Sequence, residues 1–186
     1  VPYRPGYVIV EREGSLYLQE MQFSLVPSWS KEPKVKFATH NARIETIAEK
    51  PTWKGPLQNR RALVPITRFI EPIYTGKYAG NMVQFHEPED SVLYAAAIWD
   101  SWTNKETGEV IESFSIITGE PPKFIADIGH DRCPVFVTKD VADQWLEPVK
   151  KPAGELIKLL NENMARLKLA VDIDRPLKPG WEKRVK

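Results

Sequence analysis

Two spacings of apolar residues run through this chain, and the period of two governs most of it. Residues 7–10 (Tyr-Val-Ile-Val) and 16–23 read as strands joined by the turn Glu11-Arg12-Glu13-Gly14-Ser15, which predicts a hairpin. Between Thr39 and Thr46 only Ala42 and Ile44 are apolar. They alternate with Asn41, Arg43 and Glu45, the pattern of a strand with one polar face. Further strands are expected at 62–66, 69–74, 81–86, 92–99, 112–118 and 135–137, with 94–98 apolar enough to be buried on both faces. The helical period appears later. Residues 138–146 place Val141, Ala142 and Trp145 on one side behind Thr138 as N-cap, and 152–169 do the same with Leu156, Leu159, Leu160 and Met164. Pro51 and Pro56 limit 47–57 to a short helix anchored by Trp53, and the pair Pro121-Pro122 opens another that ends near Ile128. The tail beyond Pro176 is basic and is expected to be loosely held.

Composition narrows the function classes. At 186 residues the chain fits one domain, 1–186, with room for a sizeable core. Its 26 basic and 25 acidic residues nearly cancel, so any nucleic-acid site must be a local patch and not a global field. The 16 prolines and six tryptophans favour short strands and irregular loops over long helices. One cysteine, Cys133, excludes an internal disulfide framework and a multi-cysteine zinc site. No apolar run approaches the ~20 residues needed to span a bilayer, and the start does not read as a signal peptide. A cytoplasmic setting without membrane contact is therefore expected. The sequence begins at Val1, without Met, and native residues upstream of it are expected.

Candidate chemistry gathers in a few stretches. The polar face of 39–46 offers Arg43 as a bidentate anion clamp and Asn41 as a neutral donor and acceptor, a mixture suited to a phosphate- or carbonyl-bearing ligand. A hydrogen-bonded strand end explains the same residues without a ligand. Trp29 sits in a loop with Lys31, Lys34 and Lys36, either as a packing plug or as a platform for an unpaired base. Glu71 is a carboxylate flanked by apolar residues, either turned to solvent or held at the rim of a pocket. His130-Asp131-Arg132 follows a glycine on a loop between a short helix and a strand, where catalytic groups concentrate. A His, a Glu and an Asn delivered from separate strand ends can make an acid–base site. Cys133 reads as a packing residue.

Taken in order, Leu25-Val26-Pro27-Ser28-Trp29, Asn41-Ala42-Arg43-Ile44-Glu45-Thr46, Arg61-Ala62-Leu63-Val64-Pro65 with Phe69-Ile70-Glu71, Ile116-Ile117-Thr118 and His130-Asp131-Arg132-Cys133-Pro134 resemble the SOS response-associated peptidase (SRAP) family. The resemblance runs from Pro2 to Trp145. It implies an α+β fold built on a distorted, mainly antiparallel β-barrel-like core with short flanking helices. It further implies a monomer that binds single-stranded DNA, associates with the nucleoid when bound, and crosslinks to abasic sites without cofactor or metal. Asn41, Glu71 and His130 would be catalytic. Arg43, Trp29, Thr46, Thr118 and Arg132 would form the DNA-binding set, with Arg43 on a phosphate, Thr118 lining the pocket and Trp29 in a strand-wedging loop. The family's nucleophile is an N-terminal cysteine, exposed by self-processing, whose amine and thiol close a thiazolidine on the sugar aldehyde. Glu71 would shuttle protons at the amine, His130 would protonate the sugar oxygen and Asn41 would orient the terminus.

The chain departs from that pattern at several positions. The terminal cysteine is not in this sequence, Tyr3-Arg4-Pro5 lacks the family's Asn, Pro72 stands where a Trp commonly follows the Glu, and Cys133 stands where Met is more usual. A second expectation is a non-covalent single-stranded DNA-binding relative that has lost the nucleophile. A protease acting on other proteins ranks last, for want of a nucleophile.

Overall fold

A computed structural model describes residues 2–89, 91–165 and 167–184. In chain order the elements are β1 (Pro5–Arg12), β2 (Ser15–Phe23), β3 (Asn41–Arg43), α1 (Pro51–Asn59), β4 (Arg61–Ile66), β5 (Arg68–Ile73), β6 (Asn81–His86), β7 (Leu93–Thr103), β8 (Val110–Gly119), α2 (Lys123–Ile128), β9 (Cys133–Pro134), α3 (Lys139–Leu146), α4 (Ala153–Glu162) and β10 (Ala170–Pro176), followed by a 3₁₀ turn at Trp181–Arg184. The chain divides into two compact units. One comprises Val1–Pro65, Tyr94–Thr118 and Pro134–Ala165; the other Ile66–Leu93, Gly119–Cys133 and Arg166–Lys186.

The first unit is a closed, mixed barrel. Its strands run β2-β1-β4-β7-β8, and β8 closes the ring by pairing parallel with β2 through Gln22↔Ser113 and Phe23↔Phe114. Closure removes the sheet edges that would otherwise invite association. The expected hairpin is present, with Val10 opposite Tyr17 and Val8 opposite Gln19. Val8 and Val10 point inward and are fully buried while Tyr7 stays 57% exposed, as alternation requires. The α1, α3 and α4 helices flank this barrel and contribute Leu57, Trp145, Leu156 and Leu160 to one core with Leu25, Ile98 and Ile117. Each such side chain stabilises the fold by roughly 1.5–3 kcal/mol through removal of apolar surface from water. Trp53 is buried in α1 as expected, and Pro51 opens that helix where a missing N–H costs nothing.

The second unit is a three-stranded antiparallel sheet, β10-β6-β5, with the short α2. Ile73, Val83, Phe85 and Ile125 are fully buried in it, and Phe69 stacks on Phe85 at 4.9 Å. The α2 helix ends at Gly129 with φ +104°, where an added Cβ would lie 2.8 Å from the Thr75 carbonyl oxygen. Only glycine fits there, and the residue it aims is His130.

Three expectations change. Residues 135–137 make ladder contacts without forming a continuous strand: Val135 N–H donates to the Ile117 carbonyl at 2.9 Å and Ala96 N–H to the Val135 carbonyl at 2.8 Å. The last helix stops at Glu162, not at residue 169. The Asn163 side chain turns back to the Leu159 carbonyl at 3.0 Å, and Met164 instead bridges to Val137. The tail is docked, since Leu177 N–H donates to the Gly80 carbonyl at 2.8 Å and Trp181 packs over Gly80. No helix among the described residues is long and apolar enough to cross a membrane.

Candidate functional site

In the barrel unit, the short β3 carries the first group of candidate residues. Asn41, Arg43 and Glu45 are exposed while Ala42 and Ile44 are buried, so the polar face read from the sequence is real. β3 pairs parallel with β8, placing Asn41 against Ile116 and Arg43 against Thr118. The backbone is tied further by Ile116 N–H to the His40 carbonyl at 3.0 Å and Ile44 N–H to the Thr118 carbonyl at 2.9 Å. Thr118, the register partner of Arg43, is 5% exposed. Thr46 is half-buried and turns the chain after β3, its N–H donating to the Arg43 carbonyl at 3.1 Å. The packing here is that of a short rigid strand holding an amide and a guanidinium toward solvent.

Trp29 is 57% exposed, which rules out the packing-plug reading. Its neighbours are held. Ser28 N–H donates to Asp100 Oδ2 at 2.9 Å, Ser30 N–H to the Pro27 carbonyl at 2.9 Å, and Trp102 Nε1 to the Ser30 carbonyl at 2.8 Å. Asp100 is itself 3% exposed and pairs with Arg60 at 3.1 Å. An exposed indole on a pinned loop is a ready stacking surface. Asp100 was not among the expected residues, although an acid embedded in the apolar run of β7 is a sequence signal for such an anchor.

In the second unit, β5 and the loop after α2 bring Glu71 and His130 together, with Nε2 of His130 3.3 Å from Oε2 of Glu71. Both side chains are partly buried, 13% and 27% exposed for His130 and Glu71. Two contacts meet His130 Nδ1. The Arg132 carbonyl at 2.7 Å requires a proton there, and the Arg132 N–H at 3.3 Å requires a lone pair; the shorter contact decides for Nδ1–H. With that proton placed, a bare Nε2 lone pair would face a carboxylate oxygen, which is repulsive. A second proton therefore lies on the Nε2–Oε2 line. Burial acts against the imidazolium, but the hydrogen bond and charge of Glu71, with the Arg132 carbonyl and Asp131, outweigh it and raise His130 above its ordinary 6.5. A carboxylate and an imidazole holding one mobile proton are equipped to give and take protons. Arg132, half-buried, is held beside the pair through its backbone.

Cys133, 4% exposed, lies in the same unit. Burial, with the Glu71 charge adding to it, pushes its thiol up to about 12, so at pH 7 roughly one in 10⁵ is ionised. The folded protein should leave Cys133 unlabelled by a neutral-pH thiol reagent that modifies it fully in denaturant. Native labelling at the rate of a free thiol would show the site to be open. Among the described residues no His, Cys, Asp and Glu cluster suits a metal ion.

The barrel unit thus gathers Asn41, Arg43, Thr46 and Thr118, and the second unit gathers Glu71, His130 and Arg132. Abasic site processing protein YoaM of Bacillus subtilis (strain 168) is 29% identical over 167 residues, covering 85% of this chain and 73% of that protein. Abasic site processing protein HMCES of Gallus gallus is 32% identical over 174 residues, covering 80% of this chain and 51% of the relative. An X-ray structure of a protein from Bacteroides thetaiotaomicron superposes with a TM-score of 0.75 at 25% identity, over 99% of this chain and 82% of that one. A sequence model described as SOS response associated peptidase (SRAP) matches residues 1–173, and with the barrel and the motif residues in place the chain belongs to the SRAP family.

Proposed function

We propose that this chain processes abasic sites in single-stranded DNA by covalent capture. The observation that carries the reading is the proton-sharing pair Glu71–His130, in a chain whose relatives are abasic site processing proteins. An abasic sugar opens to an aldehyde, and opening needs an acid at the ring oxygen. His130, raised above its ordinary value by Glu71, is that acid. The α-amine of an N-terminal cysteine then attacks the aldehyde carbon. A C–N bond forms, water leaves, and a Schiff base results. The cysteine thiol adds to the imine carbon, its proton passes to nitrogen, and a five-membered thiazolidine closes. Glu71 takes and returns the amine protons. In the barrel unit Arg43 holds a phosphate, Trp29 stacks on an unpaired base, and Asn41, Thr46 and Thr118 add polar contacts; in the second unit Arg132 adds another. The peptidase step of the family name is the removal of whatever precedes that cysteine. The chain works as a monomer in the cytoplasm, on the nucleoid when bound to DNA.

The test is the intact mass of the full native chain before and after incubation with abasic single-stranded DNA. Covalent capture adds the mass of the strand less one water; no adduct at saturating strand ends the proposal. A specific observation favours a second reading. Cys133 is the sole thiol of this sequence and is buried, so a native chain without a terminal cysteine would bind single-stranded DNA without bonding to it. Both readings require Arg43. Arg43→Glu should weaken single-stranded DNA binding at least about tenfold at moderate salt and flatten the salt dependence by about one counterion. Unchanged affinity under those conditions would remove DNA as the partner.

A further inference from the structure

The three-stranded sheet of the second unit has a second face that the proposed chemistry leaves unused. Alternation along β5 turns Glu71 and Ile73 to the side of His130 and α2, and Pro72 with the following Tyr74 to the other. On that outer side the sheet and the docked tail enclose a cavity of about 330 Å³, lined among others by Tyr74, Met82, Arg175, Lys178, Trp181 and Arg184. Two aromatic rings and three cations meet there, and among the described residues no acidic one lines it. The nearby Asp174 engages Arg175 in an ion pair. Arg184 reaches Tyr74 Oη at 3.5 Å, which sets a guanidinium beside an aromatic ring at the rim.

Trp181 is packed against backbone. Gly80 has φ +82°, and an added Cβ there would lie 2.9 Å from the Trp181 ring, so the indole rests against bare backbone. The bond from Leu177 N–H to the Gly80 carbonyl, 2.8 Å, fixes the tail that carries it. A rigid aromatic wall costs little ordering when a ligand arrives. An uncharged ring would leave the cations unused, and a bare anion would leave the rings unused. A ligand that is aromatic at one end and anionic at the other uses both, and the volume suits a small one.

We propose that this cavity seats one unpaired nucleotide, its base against Trp181 and Tyr74 and its phosphate held by Lys178 and Arg184. The nucleotide is either free or part of a bound strand, and only the second source rests on the DNA reading above. The full chain would be titrated with 5′-dAMP, deoxyadenosine and inorganic phosphate by ligand-observed NMR, and with a short oligo-dA strand by fluorescence anisotropy. 5′-dAMP should bind at least about tenfold more tightly than deoxyadenosine or phosphate. Trp181→Ala should weaken it about tenfold, and so should the double variant Lys178→Glu with Arg184→Glu, whose exposed side chains can change without disturbing packing. Parallel weakening of the oligo-dA strand assigns the seat to a strand nucleotide; weakening of 5′-dAMP alone assigns it to a free one. Wild-type affinity for 5′-dAMP in both variants, or no preference for 5′-dAMP over its halves, overturns the seat. Arg43→Glu separates the two ideas, because loss of strand binding with intact 5′-dAMP binding defeats nothing at this cavity.

Discussion

Replacing Glu71 by Gln should slow covalent capture of an abasic strand by about 10²–10⁴-fold, the range for removing one positioned acid–base group. The change keeps the shape of the side chain and removes its charge. Binding of single-stranded DNA should hold, because Glu71 is given no strand contact. The same variant has a spectroscopic signature. Without the Glu71 carboxylate, burial of the imidazole is opposed only by the Arg132 carbonyl and the charge of Asp131, so the His130 pKa falls. Titration of its ring protons by NMR reads this directly. The sign carries over to stability. In the wild type the raised His130 stabilises the fold fully below pH 6.5, and that contribution is lost as pH rises through the higher folded value. In Glu71→Gln the acid-side gain shrinks. A variant with wild-type capture rate and an unmoved His130 titration would show that the pair is only structural.

How far the sequence foretold this site depends on the kind of contact. Alternation at 41–45 located the polar face of β3 correctly, because burial of Ala42 and Ile44 follows from a local period. Glu71 and His130 were each singled out by an unusual setting, but no local pattern says that two such distant positions meet. The docked tail escaped for the same reason. Its partner is Gly80, and a basic stretch with two prolines reads as loose until that partner is known. β10 has the alternation Val171, Ile173 against Asp172 and Asp174, yet Ile173 is 56% exposed, so hydrophobic burial is not what holds it. Pairing to β6 and the His86–Asp172 contact at 2.8 Å hold it instead. Arg61 is the sharpest case. Nothing local in Asn59-Arg60-Arg61 signals burial, yet Arg61 is 4% exposed.

Loss of Arg61 should cost the fold about 3–5 kcal/mol, the usual consequence of breaking a buried charge network. Its guanidinium donates to the carbonyls of Leu57 at 3.3 Å, Gln58 at 2.6 Å, Trp145 at 2.6 Å, Val149 at 3.0 Å and also Glu147. Leu57 and Gln58 lie in the last turn of α1, and Trp145 in the last turn of α3. Carbonyls in the last turn of a helix have no partner within it, and the helix dipole makes each of these two C-terminal ends negative. One cation therefore caps two helices at once. Burial lowers the Arg61 pKa, with Glu147 acting in the other direction, yet a guanidinium stays charged at any ordinary pH. Arg61→Met keeps most of the aliphatic volume and leaves those carbonyls facing an apolar chain. Lysine restores a charge, but its three donors radiate from one atom and cannot span the set, so Arg61→Lys should recover less than half of the loss. Urea unfolding followed by tryptophan fluorescence measures both variants. Against a typical stability of ~5–15 kcal/mol, Arg61→Met should move the midpoint far toward zero denaturant with little change in slope. A loss under about 1 kcal/mol would mean that water replaces the guanidinium at the carbonyls, and that the helices are held by Trp145 and its apolar neighbours alone.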